Sequence, residues 1–226
     1  MTGRKIAITG AFGVLGQALA KAAAGQGFRL ALIDIAPSGP APEGAFVQGG
    51  VDLTDAAAAG AAIDALAGRL GGLDVLVNVA GGFAWQTLEA GDPSLFDRLY
   101  RLNTRTCVNA CRAALPHLKS SRAGRIVNVG ANGAVKAAAG MGAYAASKSG
   151  VHRITEALAE ELKGTGVTVN AVLPSIIDTP ANRADMPKAK FAAWVQPEEL
   201  AAVILFLASE QASAVTGALI PVTGRV

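Results

Sequence analysis

Short apolar segments alternate with longer helix-like segments along the chain, and this alternation restricts the possible fold more than any other feature. The apolar segments are continuous runs rather than apolar–polar alternations, which is typical of strands buried on both faces of a sheet. Strands that alternate with helices form parallel sheets with right-handed crossovers. We therefore predict a single α/β domain over residues 1–226, with a doubly wound parallel sheet of about seven strands in the order 3-2-1-4-5-6-7 and helices on both faces.

The predicted elements have these bounds. The strands cover residues 4–9, 29–34, 45–48, 73–78, 125–129, 167–173 and 218–222. The helices cover residues 14–25, 55–70, 94–118, 143–163 and 197–208, and residues 35–44, 82–93 and 175–196 are irregular. Ligands bind such open sheets outside the carboxyl ends of the strands. The residues that directly follow each strand are therefore the candidates for a functional site.

A glycine-rich segment, Thr9-Gly10-Ala-Phe-Gly-Val-Leu-Gly16, follows the first strand and opens the first helix. Its spacing is G-x-x-G-x-x-G rather than G-x-G-x-x-G. Glycines in this context allow a tight turn, close approach of backbone amides to a pyrophosphate and close helix–strand packing. The helix N-terminus adds unpaired N–H groups. The pattern predicts a dinucleotide phosphate site at Gly10, Phe12, Gly13, Val14, Leu15 and Gly16.

An acidic residue, Asp34, ends the second predicted strand and is followed by Ile35 rather than by an arginine. A carboxylate at this point accepts hydrogen bonds from ribose hydroxyls and repels a 2′-phosphate. The sequence therefore favours NAD(H) over NADP(H). The alternative is a turn or capping aspartate before Pro37.

Tyr144 and Lys148 lie four residues apart at the start of a predicted helix and so share one face. An ammonium beside a phenol favours the phenolate, which makes the tyrosine a usable proton donor and acceptor. A surface pair is the alternative interpretation. The glycine-rich loop that leads from the fifth strand to Tyr144 favours a position in the ligand crevice.

Further motifs follow in a fixed order: Asn78-Val79-Ala80-Gly81 after the fourth strand, Asn103 in a helix, the strand Gly124–Val129, Tyr144 with Lys148, and Pro174 to Thr179. In this order and spacing the chain resembles the short-chain dehydrogenase/reductase family over essentially its whole length. The resemblance implies an NAD(P)-binding Rossmann domain that transfers hydride to or from a small organic substrate.

The resemblance also implies roles for individual residues. Tyr144 is the acid/base, Lys148 holds the nicotinamide ribose and tunes Tyr144, and Asn103 supports a proton-relay water. Asp52 and Leu53 border the adenine. The remaining cofactor contacts implied are Asn78, Ala80 and Gly81 beneath the ribose, and Pro174, Ile177 and Thr179 on the nicotinamide side.

Two positions depart from the family pattern. Ser175 replaces a glycine, and Ala131 stands where the family's catalytic serine is expected. The dihydropteridine reductases also lack that serine and use a similar first turn, so the chain most resembles that subgroup, with a quinonoid dihydropterin as substrate. The substrate loop is expected at about 179–196. The expected substrate-side residues are Phe83, Ala131, Asn132, Asn182 and Arg183.

Two other functions stay open. The first is an ordinary carbonyl or alcohol oxidoreductase in which Asn132 takes over from the missing serine. The second is a non-catalytic NAD-binding regulator, for which the missing serine is the only support.

Composition limits the partners. The net charge is only +3, and the arginines at 98, 101, 105 and 112 form a solvated or subunit-facing helix side rather than a nucleic-acid surface.

Cys107 and Cys111 complete neither a metal site nor a disulfide framework, which fits a cytoplasmic protein. No apolar run is long enough for a membrane span, and the glycines of the first turn argue against a signal peptide. A homodimer or homotetramer through helices 94–118 and 143–163 is expected.

Overall fold

The computed structural model describes residues 3–226, and its central element is one seven-stranded parallel sheet in the order β3-β2-β1-β4-β5-β6-β7. The predicted fold class and strand order are confirmed. The strands are β1 (Lys5–Thr9), β2 (Arg29–Ile33), β3 (Phe46–Gln48), β4 (Val75–Asn78), β5 (Arg125–Val129), β6 (Thr168–Pro174) and β7 (Leu219–Val222).

Seven α-helices accompany the sheet within the described residues. They are α1 (Val14–Gly25), α2 (Ala56–Leu70), α3 (Ser94–Leu99), α4 (Thr106–Lys119), α5 (Gly142–Glu161), α6 (Pro180–Asp185) and α7 (Pro197–Leu207). Short 3₁₀ turns cover Asn132–Ala134, Phe191–Ala193 and Glu210–Ala212.

Both faces of the sheet are buried, as its continuous apolar strands require. Ala7, Leu76 and Ile126 face one core layer with α2, α4 and α5. Ile8 and Val77 face the other layer with α1 and α7. The register pairs Ile8 with Val77 and Leu76 with Ile126, so neighbouring strands present their apolar side chains in matching rows.

Two predicted segments differ from the structure. The helix expected over 94–118 is divided into α3 and α4 by a π-helical turn at Tyr100–Arg105, in which the Thr106 N–H donates to the Arg101 carbonyl. The expected loop at 175–196 contains α6, which begins at Pro180 with the Thr179 hydroxyl accepting a hydrogen bond from the Asn182 N–H. Proline suits the first turn of a helix because it has no N–H to leave unpaired.

Candidate active site at the carboxyl edge of the sheet

The glycine-rich turn brings the start of α1 against the end of β1. Gly10 has a φ of +64°, and a Cβ there would lie 2.7 Å from the Ala80 nitrogen. A Cβ on Gly16 would overlap the Gly10 carbonyl oxygen. Gly13 is the N-cap of α1 and supplies no capping side chain, so the first-turn amides remain available to an anion. This cradle fits the pyrophosphate of a dinucleotide.

The other residues of the turn have distinct environments. Val14 is exposed beside the first-turn amides, whereas Leu15 is buried in the core. A Cβ on Gly39 would overlap the Phe12 ring, so the 35–44 segment lies against the turn.

Asp34 links the end of β2 to this turn. Its Oδ2 accepts a hydrogen bond from the Phe12 N–H at 2.8 Å, and its Oδ1 accepts one from the Ala36 N–H at 3.0 Å. Each carboxylate oxygen can accept a second hydrogen bond. The carboxylate is therefore held in place with acceptor capacity left for ribose hydroxyls.

The expected adenine-side residues lie after β3. The exposed Asp52 accepts a hydrogen bond from the Thr54 N–H at 2.8 Å, and its hydrogen bonds with Thr54 lower the pKa of its carboxyl group. Leu53 is buried, and its carbonyl accepts a hydrogen bond from the Asn109 side chain at 2.9 Å. These bonds fix the backbone at this edge.

Side chains of β1 and β5 form hydrogen bonds with the end of β4 and with the residues that follow it. The Thr9 hydroxyl accepts hydrogen bonds from the Val79 and Ala80 N–H groups, both at 3.2 Å. The Asn78 side chain points inward and donates to the Asn128 side chain at 2.9 Å. The Asn78 side chain is therefore buried, and the backbone that follows it, at Ala80 and Gly81, is more exposed.

Asn103, which lies in the π-helical turn, forms hydrogen bonds with the same segment at Gly82. Its Oδ1 accepts a hydrogen bond from the Gly82 N–H at 2.8 Å, while its Nδ2 donates to the Gly82 carbonyl at 3.0 Å and to the Ser147 hydroxyl at 2.9 Å. A Cβ on Gly81 would lie 2.6 Å from Asn103 Oδ1 and 3.2 Å from Lys148 Nζ. The structure thus brings Asn103, Lys148 and Gly81 together.

Lys148 is buried on the inner face of α5. Its Nζ donates to the Val129 carbonyl at 2.8 Å, at the end of β5. Desolvation lowers the pKa of Lys148 to about 8. At pH 7 the amine of Lys148 is therefore still mostly protonated, although its pKa lies only slightly above that pH.

Tyr144 lies one helical turn before Lys148, and its ring meets the edge of the Phe83 ring at a centroid distance of 4.9 Å and an angle of 76°. Burial raises the pKa of Tyr144 to about 12. The Phe83 ring itself is 55% exposed. The phenol is therefore protonated at neutral pH and has an exposed aromatic surface beside it.

The position of the missing serine is apolar and buried. Ala131 is 3% exposed, and its N–H donates to His152 Nε2 at 3.3 Å. A Cβ on Gly130 would lie 2.5 Å from the same nitrogen. Burial, followed by the charges of Arg153 and Lys148, lowers the pKa of His152 to about 4. The imidazole is therefore neutral at pH 7 and accepts at Nε2. Asn132 is half-buried at the start of the next turn.

The segment after β6 is internally bonded. Asn182 Nδ2 donates to the Ile177 carbonyl at 2.8 Å. Arg183 forms a two-point ion pair with Asp178 at 2.6 and 2.7 Å and stacks over Phe191. Asn182 and Arg183, two of the five expected substrate-side residues, thus have partners inside their own loop. Pro174 ends β6 in the buried layer, while Ile177 and Thr179 are half-buried beyond it.

Several residues in or beside the site carried no sequence signal. They are Thr9, Trp85, Ser147 and His152, and each acts through a partner that is distant in the chain. The i+4 spacing of Tyr144, Lys148 and His152 is the one pattern that could have pointed to His152.

Among residues 3–226, no group of three or more His, Cys, Asp or Glu side chains is placed to hold a metal ion. No helix in this part of the chain combines the length and apolar character that crossing a bilayer requires.

Comparison with known proteins agrees with this geometry. The family model for short chain dehydrogenases matches residues 4–190. 2-(S)-hydroxypropyl-CoM dehydrogenase 3 from Xanthobacter autotrophicus is 34% identical, over 97% of this chain and 94% of that protein. D-threitol dehydrogenase from Mycolicibacterium smegmatis is 32% identical, over 99% of this chain and 93% of that protein.

Solved structures agree as well. The 3-ketoacyl-(acyl-carrier-protein) reductase of Brucella melitensis, complexed with NADH, has a TM-score of 0.88 and 30% identity, over 99% of this chain and 98% of that one. The carveol dehydrogenase of Mycobacterium avium, in complex with NAD, has a TM-score of 0.87 and 27% identity, over 99% and 97%. With its glycine-rich cradle and its tyrosine–lysine pair, the chain belongs to the short-chain dehydrogenase/reductase family and is an oxidoreductase that acts on a small organic substrate with a nicotinamide dinucleotide.

Proposed function

We propose that this protein is an NADH-dependent reductase in which Tyr144 donates the proton. The observation that carries this proposal is the protonated phenol of Tyr144, which lies one helical turn from the buried Lys148 and against the exposed Phe83 ring. When bound, the nicotinamide supplies hydride. The chain's own task is to hold the substrate and deliver a proton. A phenol that is protonated at neutral pH suits the reductive direction.

The preference for NAD(H) over NADP(H) rests on Asp34. Its carboxylate is held at the end of β2 by the Phe12 and Ala36 amides. A 2′-phosphate would meet this negative charge at close range. Ile35, which is 69% exposed, supplies no compensating cation.

We propose the remaining roles as the family resemblance implies them. Lys148 holds the ribose, and Asn103 supports the proton relay. The backbone of Ala80 and Gly81 with Asp52 and Leu53, and Pro174, Ile177 and Thr179 on the other side, complete the cofactor contacts. Asn182 and Arg183 act on the substrate side by shaping the loop at 179–196.

The substrate we propose is a planar conjugated imine, of which a quinonoid dihydropterin is the example. Ala131 presents a methyl group where a carbonyl-binding hydroxyl would lie, and its N–H is already bonded to His152. Phe83 offers an exposed ring beside Tyr144 on which a flat heterocycle can stack. Hydride added to the conjugated C=N system, with one proton from Tyr144, completes the reduction. The relatives described above are named for alcohol or 3-ketoacyl substrates, so the support for the pterin comes from these residues.

A second candidate is carbonyl reduction with Asn132 as the hydrogen-bond donor. Asn132 follows Ala131 directly and is half-buried at the mouth of the site. Its amide can replace a hydroxyl as donor. A non-catalytic NAD-binding regulator is the third possibility, but Tyr144, Lys148 and Asn103 are all in place.

The test is NADH oxidation, measured in parallel on a quinonoid dihydropterin and on a panel of ketones and aldehydes. We expect turnover with the dihydropterin, and a loss of about 100-fold or more in Tyr144→Phe with NADH affinity changed less than twofold. Equal turnover in Tyr144→Phe would refute the role of the phenol. Ketone reduction that is lost in Asn132→Ala, without pterin turnover, would select the second candidate. If no compound is turned over, the non-catalytic NAD-binding regulator is the remaining candidate.

We also propose a homodimer or homotetramer through the helices at 94–118 and 143–163. Phe96, Tyr100, Leu102 and Val108 on the first of these are exposed at 37–50%. Sedimentation velocity gives the assembly size. The two buried cysteines are free, and we retain the cytoplasm as the proposed location.

A further inference from the structure

Two loops on the substrate side of the site are joined by a pair of hydrogen bonds. The Trp85 indole N–H donates to the Ala139 carbonyl at 2.9 Å. The Gln86 backbone N–H donates to the Gly140 carbonyl at 3.0 Å. These bonds tie the loop after β4 to the turn that leads into α5, across more than fifty positions of sequence.

The Trp85 ring also packs against Gly140 and fills the space that a side chain at this position would need. Gly140 has a φ of +75°, and a Cβ there would overlap the indole. Trp85 is 59% exposed overall, so the ring is held by its contact with Gly140 and by its N–H rather than by a surrounding core. The close approach and the left-handed backbone both require glycine at this position.

This turn sets the start of the helix that carries Tyr144. The Met141 N–H donates to the Ala138 carbonyl at 3.1 Å, and the Ala145 N–H donates to the Met141 carbonyl at 2.7 Å. Met141, the N-cap of α5, provides no side-chain cap. A cavity of about 240 Å³ borders Gly140 and Gly142, so the turn is unpacked on that side.

We propose that Trp85 is a positioning residue that orients Tyr144 by clamping the Ala138–Met141 turn. Phe83, two residues earlier, touches the Tyr144 ring directly. The short strip from Phe83 to Gln86 therefore holds Tyr144 at its ring and also at the base of its helix. The proposal rests on the proposed role of Tyr144 as proton donor.

The test compares Trp85→Phe, which keeps a ring on Gly140 but lacks the N–H donor, with Trp85→Ala, which lacks both. Glu89→Ala is the control, because Glu89 lies in the same loop, is exposed and does not line the cavity beside Gly140. Three quantities are measured: kcat and KM, NADH affinity, and amide hydrogen exchange in peptides that cover residues 139–146.

In Trp85→Ala we expect kcat to fall at least tenfold, NADH affinity to stay within twofold, and exchange at 139–146 to accelerate while the rest of the chain exchanges as before. Trp85→Phe should lie in between, and Glu89→Ala should match the wild type. Unchanged exchange at 139–146, or unchanged kcat in Trp85→Ala, overturns the proposal.

Hydrogen exchange separates this proposal from the proposed function. If the wild type turns over no substrate, the assignment of Tyr144 as proton donor fails, and exchange at 139–146 still decides whether Trp85 clamps the turn. If Trp85→Ala is unstable throughout, Trp85→Phe supplies the same comparison.

Discussion

Lys148 carries a buried charge that costs stability. Its ammonium is 5% exposed and has one protein acceptor, the Val129 carbonyl. Desolvation lowers its pKa from 10.5 to about 8, which corresponds to about 3 kcal/mol of unfavourable free energy in the folded state at pH 7. Because the folded pKa is the lower one, this cost disappears only as the pH rises from 8 towards 10.5.

Replacing Lys148 with an uncharged residue should remove the cost of burying the ammonium. Lys148→Met should raise the free energy of unfolding of the nucleotide-free protein by about 1–2 kcal/mol at pH 7, since the lost hydrogen bond to Val129 offsets only part of the gain. Urea unfolding measures this change. Lys21→Met, at an exposed helix position, should change the free energy little. Destabilisation by Lys148→Met would show that the ammonium is solvated well enough to contribute favourably.

At the scale of elements, the joint between β1 and α1 depends on the absence of a side chain. A Cβ on Gly16 would overlap the Gly10 carbonyl and lie 2.7 Å from the Ala11 Cα. Backbone atoms cannot move aside as a flexible side chain can. The same contact sets where the first-turn amides of α1 point, so packing and anion binding depend on one glycine.

Gly16→Ala should therefore destabilise the protein by about 1–3 kcal/mol and weaken NADH binding together with it. Gly25→Ala is the matched control, since it changes a glycine of the same helix where a Cβ would meet nothing within 4 Å. It should be neutral or slightly stabilising, because alanine is the better helix former. Thermal unfolding and NADH fluorescence titration read out both effects, and equal behaviour of the two variants would contradict this account.

The π-helical turn is the second decisive element. It widens the helix at Tyr100–Arg105, where the Thr106 N–H reaches back to Arg101. Asn103 lies inside this turn and contacts both Gly82 and Ser147. One turn thereby connects the segment after β4 to α5, as such turns often do at functional sites.

At the scale of the whole molecule, His152 makes stability depend on pH. The buried imidazole bonds the Ala131 N–H and has its pKa lowered from 6.5 to about 4. The unfolded chain binds a proton at this residue between pH 6.5 and 4 and the folded chain does not, so stability falls as the pH falls through this window.

We expect the wild type to lose about 2 kcal/mol of unfolding free energy between pH 7 and pH 5 through His152. His152→Gln, which keeps a hydrogen-bond acceptor but does not titrate, should lose correspondingly less over the same range. Denaturant unfolding at the two pH values gives both differences. Parallel pH dependences in the two proteins would mean that His152 takes up its proton in the folded protein over the same pH range as in the unfolded chain.

The sequence by itself determined the layered fold, because burial on both faces leaves a local mark. Short, largely apolar segments such as Ile6-Ala7-Ile8 in β1 and Ile126-Val127 in β5 alternate with helical segments, and this pattern admits few topologies. Glycine spacing and the four-residue interval between Tyr144 and Lys148 are likewise local marks, because each pattern lies within a single turn or loop.

Only the tertiary structure decided how the site is held together. The π-helical turn, the bond from Ala131 to His152 and the contact of Trp85 with Gly140 all depend on residues from separate elements. A single sequence records which residue stands at each position, but it carries no local signal for a contact whose two partners lie tens of residues apart. Such contacts exist only once the sheet has brought the ends of its strands to one edge.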